Sequence, residues 1–434
     1  INRMKRFVLI GLLIAAAVQS NAQVLTLQEA INIALKNSLD IVIARNTVTA
    51  SEINNHLSVS GGLPVVDGNF TNNQSLTNLN QKLSNGTTTK RNGNLNNSLN
   101  AGLGASFLVF NGFRVQATKK RLEALQQQSE QAVSVQIQNI IADVMINYYD
   151  VVRQNSYIET IRQSIEATVQ RKKIVDVRQS VGLANNADTY QAQLDLTASQ
   201  QELQSQELVL MQAKADLMNL LTQRADSAFS IRDTIIVDSS IDYRIVRENI
   251  KNNPELLAAS QQIRINELIA KEVGAQRYPS IGLNTGFNYI RSQNAAGFTL
   301  LNQNLGPYIG FSVGVPIFNW GLHKRQQRVA EISTENATVN RQILLNDLET
   351  SAVKSWQAYQ NTLQRLQIER ENNRIAAALL QLTLQRFELS AATIIEVREA
   401  QRSFVDAGYR LVNLSYSAKV AEIELKRLAS QLGI

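Results

Sequence analysis

The sequence predicts a mainly α-helical chain built from two tandem copies of one plan: helix, β-hairpin, very long helix, helix. Three observations predict it. First, Phe113 to Val181 is a run of 69 residues without glycine or proline. Within it Ile137, Ile141, Val144, Tyr148 and Val151 step by 4, 3, 4 and 3, the stripe of a helix that packs as a coiled coil does. Second, eight of the 20 glycines lie between Gly61 and Gly112 and eight between Gly274 and Gly321, and four of the five prolines share those windows. The rest of the chain is helix-prone. Third, residues recur at a fixed spacing. Phe110-Asn111 matches Phe318-Asn319, Tyr148 matches Trp356, Ala192-Gln193 matches Ala400-Gln401 and Leu220 matches Leu428, all 208 apart. Before the strands the offset is 215, pairing Asn37-Ser38-Leu39 with Asn252-Asn253-Pro254 and Pro64 with Pro279. A length change in one exposed hairpin loop accounts for the difference.

Taken in order, residues 1–22 read as an export signal. Arg3, Lys5 and Arg6 precede an apolar run from Phe7 to Val18 and a small-x-small site at Ser20-Asn21-Ala22. The first repeat is expected over 23–225. Its opening helix, 26–59, starts at a Thr26-x-x-Glu29 capping box and stops at Gly61, Gly62 and Pro64. Strands are expected within about 65–110: a weaker one near Val65 to Asn73, a polar segment from Thr77 to Gly93, and an alternating one from Leu95 to Phe107. A helical hairpin over 113–224 follows, turning at Gly182, and its first helix alone would be roughly 100 Å long. After a linker at 226–242, the second repeat (243–434) has a helix over 243–276, strands within about 280–318 and a helical hairpin over 322–431.

Composition excludes several classes of function. Without the signal the balance is 40 basic to 36 acidic residues, spread along helices, which gives nucleic acid no basic patch. There is no cysteine, hence no thiol nucleophile, disulfide or acylation site. His56 and His323 have no ligand-like neighbours. No phosphate loop, nucleophile elbow or metal cluster is present, so neither enzyme chemistry nor a cofactor is expected. With four methionines, a soft-metal relay has no support.

The strands carry the functional argument. Ile281, Leu283, Phe287 and Tyr289, and Ile309, Phe311, Val313 and Ile317, form apolar faces backed by Gly, Asn and Ser. That pattern suits a wall with lipid outside and water inside. Four strands cannot close a barrel, so a membrane role requires several copies. The alternative is a small periplasmic sheet packed on helix ends.

These features resemble the TolC family of outer-membrane efflux and secretion channels over nearly the whole chain. The carriers are the opening Leu25 to Ile41, the proline-led strands, the Phe-Asn junctions closing on glycine at Phe110 to Gly112 and Phe318 to Gly321, and the turn Val181-Gly182-Leu183. The resemblance implies a homotrimer whose twelve strands form a β-barrel in the outer membrane, continued by a twelve-helix tunnel through the periplasm. It also implies a periplasmic adaptor and an inner-membrane efflux pump or ABC exporter as partners.

By the same resemblance, Glu396 and Glu399 match carboxylates that ring the narrowest part of the tunnel. Capping alone offers another account of Glu396, which closes a Thr393-Ile394-Ile395-Glu396 box, and of Asp188, which answers Asn185. Where the family bonds that aspartate with a tyrosine and an arginine, this chain has Phe387 and Ala392. A turn end held by apolar contacts from Phe387 and Leu389, rather than by a charge network, is therefore expected. Val181, Gly182 and Leu183, and in the second copy Leu389, Ser390 and Ala391, match the family's adaptor-contacting turns. Since the second copy lacks the glycine, the two docking grooves are expected to differ. The function expected is a passive exit duct for small molecules. A type I protein-secretion duct of the same fold and a periplasmic coiled-coil adaptor or scaffold are the alternatives.

Overall fold

The structure, a computed structural model, describes residues 23–226 and 228–432; the expected signal at 1–22 lies outside them. In chain order its elements are β1 (Gln23–Val24), α1 (Leu27–Asn37), α2 (Leu39–Asn54), β2 (Val65–Lys82), β3 (Thr88–Phe110), α3 (Arg114–Ser180) and α4 (Asn186–Leu220). The second copy follows with β4 (Phe229–Ser230), α5 (Tyr243–Asn249), α6 (Pro254–Ala275), β5 (Ser280–Asn294), β6 (Leu301–Gly314), α7 (Leu322–Glu388) and α8 (Ile394–Leu428). Two compact units share these elements. One holds the chain through Arg45, Ala132–Leu256 and Leu344 onward, and the other holds Asn46–Gln131 and Leu257–Ile343.

Local chemistry sets the helix boundaries. Thr26 Oγ1 accepts from the Glu29 amide at 3.3 Å and the Glu29 carboxylate accepts from the Thr26 amide at 3.0 Å, so the expected capping box is closed. The helix does not run on to 59. It breaks at Ser38 (φ −56°, ψ 122°), whose hydroxyl accepts from the Ile41 amide to start α2, and α2 ends at Asn54. The helix expected over 243–276 breaks at the equivalent Asn253, whose side chain accepts from the Glu255 amide at 2.9 Å. Ser and Asn side chains compete with the helix for backbone groups, and Pro254 has no N–H to donate to the preceding turn.

The repeat is written into the backbone as well. Left-handed φ values occur at Gly112 and Trp320, Phe113 and Gly321, Gly182 and Ser390, and Thr222 and Ser430. Each pair is 208 apart. At Gly112 the conformation is enforced twice, by φ 68° and by Ala275 O and Tyr278 Cβ, each 2.7 Å from where a Cβ would stand.

In the strand-bearing unit one antiparallel sheet has the order β2-β3-β5-β6. The expected polar gap at 77–93 is mostly strand: β2 continues to Lys82, β3 resumes at Thr88, and the ladder crosses an irregularity between Thr77 and Leu79. Backbone pairing does not require apolar side chains, which is why alternation underestimated these strands. β6 stops at Gly314, short of Pro316, and the expected strand end near 318 is not strand. The register sorts the side chains by face. Phe70, Ala101, Tyr289 and Leu305 share one row, and Phe107, Leu283 and Phe311 share another on the same face. The opposite face carries Asn69, Gly102, Asn288 and Gly306, then Thr71, Asn100, Ile290 and Asn304. Phe70 is 73% exposed, Ile309 71% and Phe311 75%, and the edges β2 and β6 have a strand partner on one side only. Elsewhere in this unit Ala124, Ile265 and Leu268 make a small core between α3 and α6.

In the helical unit the stripe read from the sequence is the core. Ile141, Val144, Tyr148 and Val151 are at most 1% exposed and pack with Ala30, Ala34, Leu217 and Leu221. Each such side chain contributes about 1.5–3 kcal/mol by burial. A second core gathers Val246, Leu256, Ala352, Tyr359, Leu425 and Leu428. The linker is tied to both cores. β4 pairs in parallel with β1, and Tyr148 donates to the Asp233 carboxylate at 2.5 Å. On α8, Lys419 donates to Ile236 O at 2.9 Å and the buried Glu422 accepts from the Asp238 amide at 2.9 Å.

Candidate functional site

The turns α3–α4 and α7–α8 both lie in the helical unit, and the same chemistry builds them twice. At the first, Leu183 N donates to Arg178 O at 2.7 Å and Gly182 takes φ 78°. At the second, Ala391 N donates to Arg386 O at 2.7 Å and Ser390 takes φ 60°. Both are left-handed helix ends of the Schellman type. The backbones of the two turns therefore agree although one lacks glycine. The difference expected between the grooves resides in side chains and in strain at Ser390.

Past each turn a capping box starts the next helix. Asn185 and Asp188 exchange bonds of 2.9 and 3.3 Å, and Thr393 and Glu396 exchange bonds of 3.2 and 2.8 Å. Asp188 and Glu396 are thus engaged as caps, their charges at helix N-termini. Glu396 and, one turn on, Glu399 are both solvent-exposed.

Phe387 is 3% exposed and packs within its own chain against Val175, Ala192 and Val397, with Ala392 and Ile394 beside them. Leu389 is 79% exposed, as are Val181 at 64% and Leu183 at 76%. The expected apolar closure by Phe387 and Leu389 together is therefore divided: Phe387 is core, and Leu389 stands with the exposed turn residues. Polar contacts from Arg178, on the first copy, join the two turns. The Arg178 guanidinium lies 4.3 Å from the Phe387 ring centroid, donates to Phe387 O, and reaches Ser390 Oγ at 3.2 Å. Its repeat partner Arg386 caps its own turn through Ala391 O at 2.9 Å.

Deeper along α3, Arg171 is 1% exposed and donates to Asp195 Oδ2 at 2.7 Å and Gln401 Oε1 at 3.3 Å. Arg398 approaches the same Asp195 oxygen at 3.4 Å, and Gln191 donates to Asp195 Oδ1 at 2.8 Å. Gln401 Nε2 reaches Ser164 Oγ at 2.8 Å and Thr168 Oγ1 at 2.6 Å. Burial pushes the Arg171 guanidinium below its ordinary pKa, with Asp195 opposing and Arg398 adding to the shift. Sequence reading passed over this network because Arg171-Lys172-Lys173 resembles a solvated run. The missed signal was periodicity: Ile161, Ser164, Thr168, Arg171 and Val175 prolong the buried stripe with polar members. Among the described residues no group of His, Cys, Asp or Glu is arranged to hold a metal ion.

The outer membrane efflux protein family profile matches residues 16–223 and 245–431. The chain is 24% identical over 313 residues to the outer membrane protein TolC of Vibrio cholerae, covering 68% of each chain. It is 22% identical over 299 residues to the cation efflux system protein CusC of Escherichia coli, covering 66% of this chain and 62% of CusC. It spans just over three-fifths of the length of several curated relatives it matches. Among solved structures, the Campylobacter jejuni CmeC outer membrane channel superposes with a TM-score of 0.78 at 16% identity, over 93% of this chain and 85% of CmeC. VceC of Vibrio cholerae gives 0.76 at 17% identity, over 93% of this chain and 95% of VceC. These likenesses establish a TolC-like fold, and the profile covers both repeats: the chain belongs to the outer membrane efflux protein family.

Proposed function

We propose that the chain is the outer-membrane exit duct of a tripartite export system, a passive conduit for small molecules driven through it by an inner-membrane pump and delivered through a periplasmic adaptor. The observation that carries this reading is the sheet, with one apolar face, one face of Gly, Asn and Ser, and two open edges. An exposed apolar face with unpaired edges is stable in lipid only when closed. In this reading three copies join β6 of one to β2 of the next, making a twelve-stranded barrel that water fills. Exposed stripes support a trimer: Tyr190, Leu194, Leu208 and Met211 on α4, and Ile368, Ile375, Leu379 and Leu382 on α7, lie at coiled-coil spacings and are each more than 45% exposed.

At the turn end, threefold repetition would set Glu396 and Glu399 as two rings of negative charge favouring cations. Val181, Leu183 and Leu389 would offer the adaptor apolar contacts, with Gly182, Ser390 and Ala391 shaping the two grooves. The choice between small-molecule efflux and protein secretion then belongs to the pump. The test is reconstitution of protein extracted from outer membranes into planar bilayers. Stepwise conductance whose cation preference falls in E396Q/E399Q is expected. Recovery of the folded protein only as a soluble periplasmic species, with no conductance, would overturn the reading.

A further inference from the structure

At the end of the sheet where β2 begins and β3 ends, each copy holds an exposed aromatic ring on a left-handed residue. Phe113 (φ 66°, 67% exposed) meets Phe110 edge-on at 5.4 Å, and Trp320 (φ 55°, 82% exposed) lies 5.0 Å from Phe318. That backbone region strains any side chain, and rings this exposed recover little of the strain within the chain. The surroundings differ between the copies. In the first, Phe113, Gln116 and Lys120 form a ridge shared by two recesses. One, of about 430 Å³, is lined by Leu57, Phe107, Val109 and Phe110, and through Phe107 it continues the apolar face of the sheet. The other, of about 320 Å³, is lined on the α6 side by Arg264, Leu268 and Lys271. The carboxylates nearest in sequence are already paired: Glu123 with Lys119 at 3.2 Å, Glu267 with Arg264 at 3.1 Å and Glu272 with Arg121 at 2.6 Å. Lys271 also borders a recess with Glu331 and Glu335 of α7, both of which Arg328 engages, at 3.3 and 3.1 Å. Lys120 and Lys271 are exposed and have no ion-pair partner among the described residues. In the second copy the positions 208 further on are Gly321 for Phe113 and the paired Arg328 for Lys120, so ring and free charge coincide only in the first.

We propose that this ridge seats one anionic phospholipid per chain, its acyl carbons against Leu57, Phe107 and Phe113 and its phosphate on Lys120 and Lys271. An apolar strand face that ends in exposed rings and then unpaired lysines has the order of a membrane–water boundary. Rings sit there at headgroup level, and lysines attract anionic headgroups. A soluble anion would engage the lysines and leave Phe113 and the apolar recess bare, which is why the occupant is a lipid. The inference rests on the duct reading and deepens it by naming the lipid at one rim of the barrel. All the residues invoked belong to the strand-bearing unit of a single chain, so binding itself does not require conduction.

The test is native mass spectrometry of the full chain in a neutral detergent, with equal amounts of phosphatidylglycerol and phosphatidylcholine of the same acyl chains. Phosphatidylglycerol is expected to be retained about tenfold in preference, saturating at one per chain. K120Q/K271Q should abolish the preference, K120R/K271R should keep it, and R328Q in the second copy should leave it unchanged. F113G installs the second copy's residue and removes the strain. It should weaken retention of both lipids severalfold without lowering the thermal unfolding temperature, which a merely structural ring would not do. Excess glycerol phosphate should not displace the lipid. No preference in the wild type, a preference that survives K120Q/K271Q, or an equal loss in R328Q overturns the seat. Displacement by glycerol phosphate overturns the lipid as its occupant. A lipid preference that holds in protein that never conducts supports the seat and counts against the duct reading alone.

Discussion

Replacing Asp195 by Leu isolates the buried pair that ties α3 to α4 and α8. Arg171 would keep only the Gln401 carbonyl oxygen as a side-chain acceptor, because Asp195 Oδ2 at 2.7 Å is its one carboxylate partner. Removing one member of a buried pair costs about 3–5 kcal/mol, because the other charge stays desolvated. Asp195 retains 17% side-chain exposure and shares its oxygen with Arg398, which places the expected cost near the lower end, about 3 kcal/mol. Removing both, R171L/D195L, exchanges a desolvated pair for apolar packing and is expected to cost about 1 kcal/mol or less. The assay is native-state hydrogen exchange of the α3 amides around 164–178. D195L should accelerate their exchange roughly a hundredfold, and the double variant should restore most of the protection. Less than fivefold acceleration in D195L, or a double variant as damaging as the sum of the single ones, would mean that Arg171 does not depend on Asp195 for its burial.

Four further outcomes are expected. Ser390→Gly removes left-handed strain of about 1–2 kcal/mol at the cost of the Arg178 hydrogen bond, for a net gain of about 0.5–1 kcal/mol. Gly182→Ser, where a Cβ meets nothing within 4 Å, loses about 1 kcal/mol; thermal unfolding of the two variants in detergent checks the opposite signs. Gly112→Ala forces a Cβ to 2.7 Å from Ala275 O, a backbone atom, and is expected to reduce sharply the yield of folded protein in outer-membrane fractions. Hydrogen bonds from the Ser240 side chain and backbone, then the Lys426 ammonium, hold the Asp238 carboxyl at about 2. That pKa is depressed, so its stabilisation is complete above the unfolded value near 4 and fades as pH falls toward 2. Amides at 236–240 should lose protection across that window in the wild type and show no such step in D238N.

The long stripe from Ile137 to Val151, the twofold plan and the glycine-rich strands were legible because each follows from periodicity that burial enforces. Strand ends were not: β2 reaches Lys82 through Asn, Gln and Thr because the ladder pairs backbone groups whatever the side chains. The breaks at Ser38 and Asn253 depended on a single side chain outcompeting a helix, which composition alone does not decide. At the turns, the capping roles of Asp188 and Glu396 could be read from spacing, whereas the burial of Arg171 depended on α4 and α8 arriving from distant parts of the chain. That Phe387 is core rather than part of an apolar closure with Leu389 depended on Val175 and Ala192, which come from α3 and α4 of the first copy.

Closure of the sheet between copies can be measured cleanly in a chain with no cysteine. Paired cysteines scanned along the open edges of β2 and β6 are oxidised in intact outer membranes and resolved on non-reducing gels. Covalent species of two and three chains, with nothing larger, are expected from the pairs in register. Monomers from every pair, or a ladder that continues past three, would contradict the closed trimer.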